Sequence, residues 1–92
     1  YDLLGRFGGE EFIVIMFDTL KADAASIIER IIEVVREKTY VYNKDEIKFT
    51  FSAGVADVHE FKHKGIKIEE IISLADKRLY MAKAAGRDRL IV

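Results

Sequence analysis

Arg6-Phe7-Gly8-Gly9-Glu10-Glu11-Phe12 sets two adjacent carboxylates directly after two glycines, with the apolar run Phe12-Ile13-Val14-Ile15-Met16-Phe17 behind them. Glycine takes positive φ without a Cβ penalty and lets a bulky anion come close to the backbone. Glu10 and Glu11 repel each other unless a cation shares them. A hard divalent ion such as Mg²⁺ relieves that repulsion, because it takes one or two carboxylates and completes its shell with substrate phosphates. The same residues also read as a plain β-hairpin, with Gly-Gly as an ordinary turn pair and Glu-Glu as its solvated tip.

A second constellation lies near the other end. Asp76, Tyr80, Lys83 and Arg87 follow one another at intervals of four, three and four residues, which on a helix makes one ridge. Lysine and arginine in a last helical turn are favourable to the helix dipole whatever they bind. They are also donors suited to phosphate oxygens, arginine through its planar fork and lysine as a point charge. A third set, His59-Glu60-Phe61-Lys62-His63, fits H-E-x-x-H, in which two histidines one helical turn apart hold zinc. That chemistry requires a helix. Here the segment falls in a charged connection ending near Gly65, and the chain has no other histidine to serve as a third ligand.

The elements that must position these groups follow from periodicity. Asp2 to Phe7 reads as a short strand, and the run from Phe12, apolar at every position, as a strand covered on both faces. Asp18 or Thr19 is placed to cap a helix from about Lys21 to Lys38. Its apolar stripe is Ala24, Ile27, Ile28, Ile31, Val34 and Val35. Thr39-Tyr40-Val41-Tyr42 is a short β-prone piece before the polar turn Asn43-Lys44-Asp45-Glu46. From Ile47 to Val55 the residues alternate, Ile47, Phe49, Phe51, Ala53 and Val55 on one side, which predicts a single strand with one buried face. Asp57 to Gly65 reads as a charged loop. Ile68 to Ala85 returns to helical spacing, with Ile68, Ile71, Ile72, Ala75, Leu79 and Ala82 in a stripe and Gly86 at C′. Arg89-Leu90-Ile91-Val92 closes as a strand, for an order ββαβαβ.

Composition narrows the function classes. Ninety-two residues allow one small domain, and half are hydrophobic and 34% charged, a globular mixture. A net charge of −1 leaves no electrostatic footprint for a nucleic acid polymer. With no cysteine there is no disulfide framework or thiol chemistry. No apolar run approaches a membrane span and no signal peptide is visible, so a cytoplasmic setting is the default expectation. The chain opens on Tyr1 and enters a strand almost at once, which reads as a piece of something longer. It lacks glutamine, has Asn43 as its only asparagine, and is rich in Ile, Lys and Glu, the composition of heat-adapted proteins.

Taken together, the motifs resemble the GGDEF family of diguanylate cyclases. Gly8-Gly9-Glu10-Glu11-Phe12 looks like the family signature in its glutamate form. Phe49-Thr50-Phe51-Ser52-Ala53-Gly54-Val55-Ala56 is similar to its S-x-G-[VI]-A strand, and Ala75-Asp76-Lys77-Arg78-Leu79-Tyr80-Met81-Ala82-Lys83-Ala84-Ala85-Gly86-Arg87-Asp88 to its AD-x-A-LY-x-AK-x-x-GR-N segment. The three stand in the family's order and at its distances over essentially the whole chain.

The resemblance implies an α/β (α+β) fold, a partial palm-like nucleotide-cyclase architecture with a mixed, mainly antiparallel sheet flanked by two helices. It implies that 1–92 is the C-terminal portion of a single GGDEF domain, lacking the family's first strand and the helices after it. Two such domains, each holding one GTP, meet as a homodimer and condense the nucleotides into cyclic di-GMP with release of pyrophosphate. Glu10 would then ligate Mg²⁺ (or Mn²⁺) and help activate the 3′-hydroxyl, Glu11 would support the metal, and Gly8 and Gly9 would leave room for phosphates. Lys83 and Arg87 would hold the β- and γ-phosphates. Asp2 stands where the family's R-x-x-D product-inhibition site ends, although its arginine would lie before Tyr1. Arg30 resembles a secondary inhibitory position.

Departures from the family pattern carry expectations of their own. The first metal-binding aspartate and the guanine-reading Asn and Asp fall outside this sequence, so the segment alone is expected to be inactive. The missing opening strand would sit between the acidic hairpin and the Ile47–Val55 strand. Its absence predicts that those two strands either pair directly or self-associate through their open edges. The alternative to an enzyme is a sensory module binding GTP or cyclic di-GMP without turnover.

Overall fold

Phe12–Met16 forms strand β2 and pairs antiparallel with β1 (Asp2–Arg6), setting Arg6 opposite Phe12 and Asp2 opposite Met16. This is a computed structural model that describes residues 2–6, 12–16 and 18–92. Helix α1 runs Lys21–Glu37, within one residue of its expected end. Its start differs from expectation. The N-cap position is Leu20, with no side-chain cap, rather than Asp18 or Thr19. The Lys21 amide instead donates to Asp57 Oδ2 at 3.2 Å, from a loop distant in sequence. The orphan donor of a helix start is thus satisfied by tertiary structure, which local spacing cannot show.

The buried line of α1 is also turned from the expected stripe. Ile32 is buried at 2% exposure, with Ile28 and Val35 half-buried beside it, while Ile27, Ile31 and Val34 remain exposed. Ile28, Ile32 and Val35 are spaced i, i+4, i+7, one narrow line along the helix, and α1 packs on strand β6 (Leu90–Ile91).

Strands β3 (Tyr40–Tyr42) and β4 (Asp45–Ile47) make a tight antiparallel hairpin. Its turn residues Asn43 (φ 49°) and Lys44 (φ 70°) are both left-handed, as a primed turn requires. The Tyr40 and Phe49 rings stack at 4.8 Å between centroids.

The expected single strand from Ile47 to Val55 is divided. Its start belongs to β4, its end is β5 (Ala53–Gly54), and residues 48–52 make no ladder. Alternation was present in the sequence, but a strand also needs a neighbour along its length, and among the described residues only its two ends have one. β5 pairs in parallel with β6, extended by bonds from Ala53 N–H to Arg89 O (2.9 Å) and Val55 N–H to Ile91 O (3.0 Å). Among the described residues the strands therefore form three two-stranded ladders, two antiparallel and one parallel, in place of one continuous sheet. Of the two arrangements expected of β2 and β5, direct pairing or self-association through their edges, direct pairing is not made: they belong to separate ladders and face each other across an open groove. One edge of β5 is taken by β6, and its backbone is held down on a helix.

That helix is α2 (Ile68–Ala84), with Ala82 fully buried and Ile71, Ile72, Ala75 and Leu79 half-buried, the expected stripe apart from exposed Ile68. Gly54 makes the contact possible. A Cβ there would collide with the Ala75 carbonyl oxygen and the Leu79 amide nitrogen, so strand and helix touch backbone to backbone. α2 ends as the sequence predicts, in a complete Schellman motif. Gly86 (φ 121°) at C′ donates to Lys83 O at 3.3 Å, and Arg87 donates to Ala82 O at 2.9 Å.

Candidate functional site

The groove between β2 and β5 has a volume of about 1180 Å³. Val14, Ile15 and Met16 line one wall, Thr50 to Val55 the other, and the floor is the α2 face around Ala75 and Leu79. Lys83 and Arg87 stand on its rim at the C-terminal end of α2, with Asp76 two turns earlier. The fourth member of the expected ridge departs from it. Tyr80 is 73% exposed and lies outside the groove lining, because at about 100° per residue it stands about 40° round the helix from Asp76 and about 60° from Lys83.

Among the described residues neither the Lys83 ammonium nor the Arg87 guanidinium has a hydrogen-bond or ion-pair partner. Both cations are therefore available to an external anion. The backbone that carries them is firmly held by the Schellman bonds, and Arg87 (φ 63°) and Asp88 (φ 51°) continue the left-handed turn begun at Gly86. The Met81, Ala82 and Lys83 carbonyls at the helix end accept from the amides of Ala85, Arg87 and Gly86 respectively.

Gly8, Gly9, Glu10 and Glu11 lie outside the described residues; the residues flanking that stretch, Arg6 and Phe12, stand opposite each other in the β1–β2 ladder. Asp2 opens β1, opposite Met16, and Arg30 is exposed in the middle of α1.

The H-E-x-x-H segment is resolved by the part Glu60 plays. Val58–Glu60 is a single 3₁₀ turn, too short to align two histidines, and His59 and His63 are both exposed. Glu60 is fully engaged elsewhere. Its Oε1 accepts from Arg78 Nη2 (2.6 Å) and Lys21 Nζ (2.9 Å), and its Oε2 from Arg78 Nη1 (2.8 Å) and the Asp57 amide (3.0 Å). The Arg78 hydrogen bonds, helped by Lys21 and the Asp57 amide, hold its carboxyl down at about 2 against the ordinary 4.5. No group of three or more metal-ligating side chains occurs among the described residues. Sequence reasoning missed this clasp. The one available signal was Asp57-x-x-Glu60, a capping-box pattern, which the structure forms in full.

Comparison with known proteins gives consistent answers. Residues 1–89 match the family model described as "Diguanylate cyclase, GGDEF domain". Diguanylate cyclase A of Treponema denticola is 39% identical over 89 residues, covering 97% of this chain and 23% of that protein. Response regulator PleD of Caulobacter vibrioides is 39% identical over 92 residues, covering 98% of this chain and 20% of that protein. The chain thus spans about a fifth of the length of these curated relatives. The solved structure of the active GGEEF domain of a diguanylate cyclase from Vibrio cholerae superposes with a TM-score of 0.77 at 29% identity, over 99% of this chain and 55% of that one. Diguanylate cyclase SiaD in complex with its activator SiaC, from Pseudomonas aeruginosa, gives 0.76 at 28% identity, over 99% and 34%. Both neighbours support a partial palm-like fold. No helix among the described residues is long and apolar enough to cross a membrane.

Proposed function

This chain belongs to the GGDEF family, and from that premise we propose that its parent protein is a diguanylate cyclase, condensing two GTP into cyclic di-GMP with release of pyrophosphate. The observation that carries the reading is that Lys83 and Arg87 both line the groove and, among the described residues, have no partner. Phosphoryl transfer depends on positioning and on neutralising charge, and a lysine and an arginine on a pinned helix end supply both for a β/γ-phosphate tail. Lys83 contributes a point charge, and Arg87 a planar fork.

Gly8 and Gly9 are assigned to phosphate approach, and Glu10 and Glu11 to a divalent ion. Two adjacent carboxylates are hard oxygen donors, a fitting set for Mg²⁺ or Mn²⁺, and the ion would supply charge neutralisation at the phosphates. Catalysis needs two domains, each presenting one nucleotide. The segment 1–92, which overlaps 55% of the Vibrio domain, is assigned to the C-terminal portion of one such domain and is inactive alone. Its open β2 and β5 edges are free to self-associate. Asp2 and Arg30 are assigned to product inhibition.

The test is to incubate this segment, and the longer natural protein, with GTP and Mg²⁺ and separate the products by chromatography. Cyclic di-GMP from the longer protein, abolished by Glu10→Gln, supports the cyclase. GTP binding without product from either selects the sensory module instead.

A further inference from the structure

The corner that carries Arg87 is fastened by residues that do not themselves offer a charge to the groove. Asp88 follows Arg87 directly, is absent from the groove lining, and is the meeting point of two other elements. Its amide donates to Ser52 Oγ at 3.1 Å, on the approach to β5. Its Oδ2 accepts from Arg36 Nε at 2.7 Å, and its carbonyl from Arg36 Nη2 at 3.4 Å, in the last turn of α1. The carbonyl of Arg87 in turn accepts from Arg89 Nε at 3.0 Å.

These bonds surround an unfavourable stretch of backbone. Arg87 and Asp88 are consecutive left-handed residues, at φ 63° and 51°. The left-handed region is disfavoured for any residue with a Cβ; aspartate tolerates it through its short polar side chain, whereas arginine does not. Such a turn persists only when its surroundings over-determine it. The Arg36–Asp88 pair is too exposed, at 46% and 30%, to be explained as a source of stability.

We infer that Asp88, held by Arg36 and Ser52, is a positioning residue for Arg87: it fixes the left-handed turn that presents the guanidinium at the groove rim. The inference rests on Arg87 serving as a phosphate donor. Neither Asp88 nor Arg36 touches the nucleotide; both act through Arg87.

The test is a double-mutant cycle in the full natural protein, read by calorimetric titration with GTP and Mg²⁺. Asp88→Ala weakens GTP about tenfold in the parent, as misplacement of a binding group does, and about twofold or less when Arg87 is already alanine. Ser52→Ala follows the same pattern more weakly and serves if Asp88→Ala fails to fold. Asp88→Asn, which keeps an acceptor for Arg36 and the tolerance of a left-handed φ, retains most of the affinity. Equal losses for Asp88→Ala with and without Arg87 would mean a structural role and overturn the inference. So would an unchanged affinity in Asp88→Ala alongside a weakened Arg87→Ala, which leaves the phosphate role intact. If Arg87→Ala binds GTP normally, the phosphate role and the inference fall together.

Discussion

Helix α1 is fastened at both ends by an acid–base pair, and the two fastenings are physically unlike. At its start Lys21 meets Glu60, which Arg78 grips with both arms; the side chains are 31%, 18% and 17% exposed. At its end Arg36 meets Asp88 through one short side-chain bond, with the arginine 46% and the acid 30% exposed, against 17% and 18% for Arg78 and Glu60. The Glu60 carboxyl is driven down to about 2, chiefly by Arg78. Arg36 is shifted up by Asp88. The same chemistry thus does two jobs according to burial. The inner clasp is expensive to break because a largely desolvated guanidinium would lose its carboxylate and keep only the Val55 carbonyl, 2.7 Å from Arg78 Nη1. The outer one costs little to break, so its use lies in geometry.

The comparison can be broken at its shared base. Gly54 lies where β5 meets α2, between the two clasps, and Gly54→Val would force strand and helix apart at a contact with no room for a methyl. The expected loss exceeds about 4 kcal/mol, among the largest single-site effects, and both clasps open together. Urea unfolding checks it.

A smaller effect separates the clasps. Glu60→Gln is expected to cost about 3 kcal/mol, since it removes the charge from a carboxylate that accepts four hydrogen bonds. The pH dependence has a defined sign. The folded value of Glu60, about 2, is below its ordinary 4.5, so its contribution is complete above 4.5 and is lost as pH falls through 2. Urea midpoints measured from pH 6 down to 2 should fall in the parent and flatten in Glu60→Gln.

Least of all, Arg36→Met should barely move the urea midpoint, and the small change should vanish in high salt, as for exposed ion pairs generally. A loss as large as that of Glu60→Gln would erase the distinction between the clasps.

The sequence shows unequal amounts of this arrangement. The two helices were legible to within a residue at each end, because three- and four-residue apolar spacing and Gly86 encode them locally. The motifs that carry the family were legible for the same reason. The split of the Ile47–Val55 strand was not, because alternation reports which side chains share a face and says nothing of a pairing partner. The Lys21–Glu60–Arg78 clasp joins residues 39 and 18 positions apart, distances at which spacing has no period to read. His59-Glu60 misled for a related reason: a carboxylate's neighbours in sequence suggested zinc, while its neighbours in space are two cations.

The contact at Gly54 makes α2 a lever. With backbone set against backbone, no side chain stands between them to rotate and absorb a displacement, and close-packed interiors pass strain on. A shift of β5 would therefore be carried along a stiff rod from Leu79 to Lys83, one helical turn or roughly 6 Å away. The groove's floor and its charged rim move as one body, so the width of the cleft and the placement of its cations are a single mechanical variable.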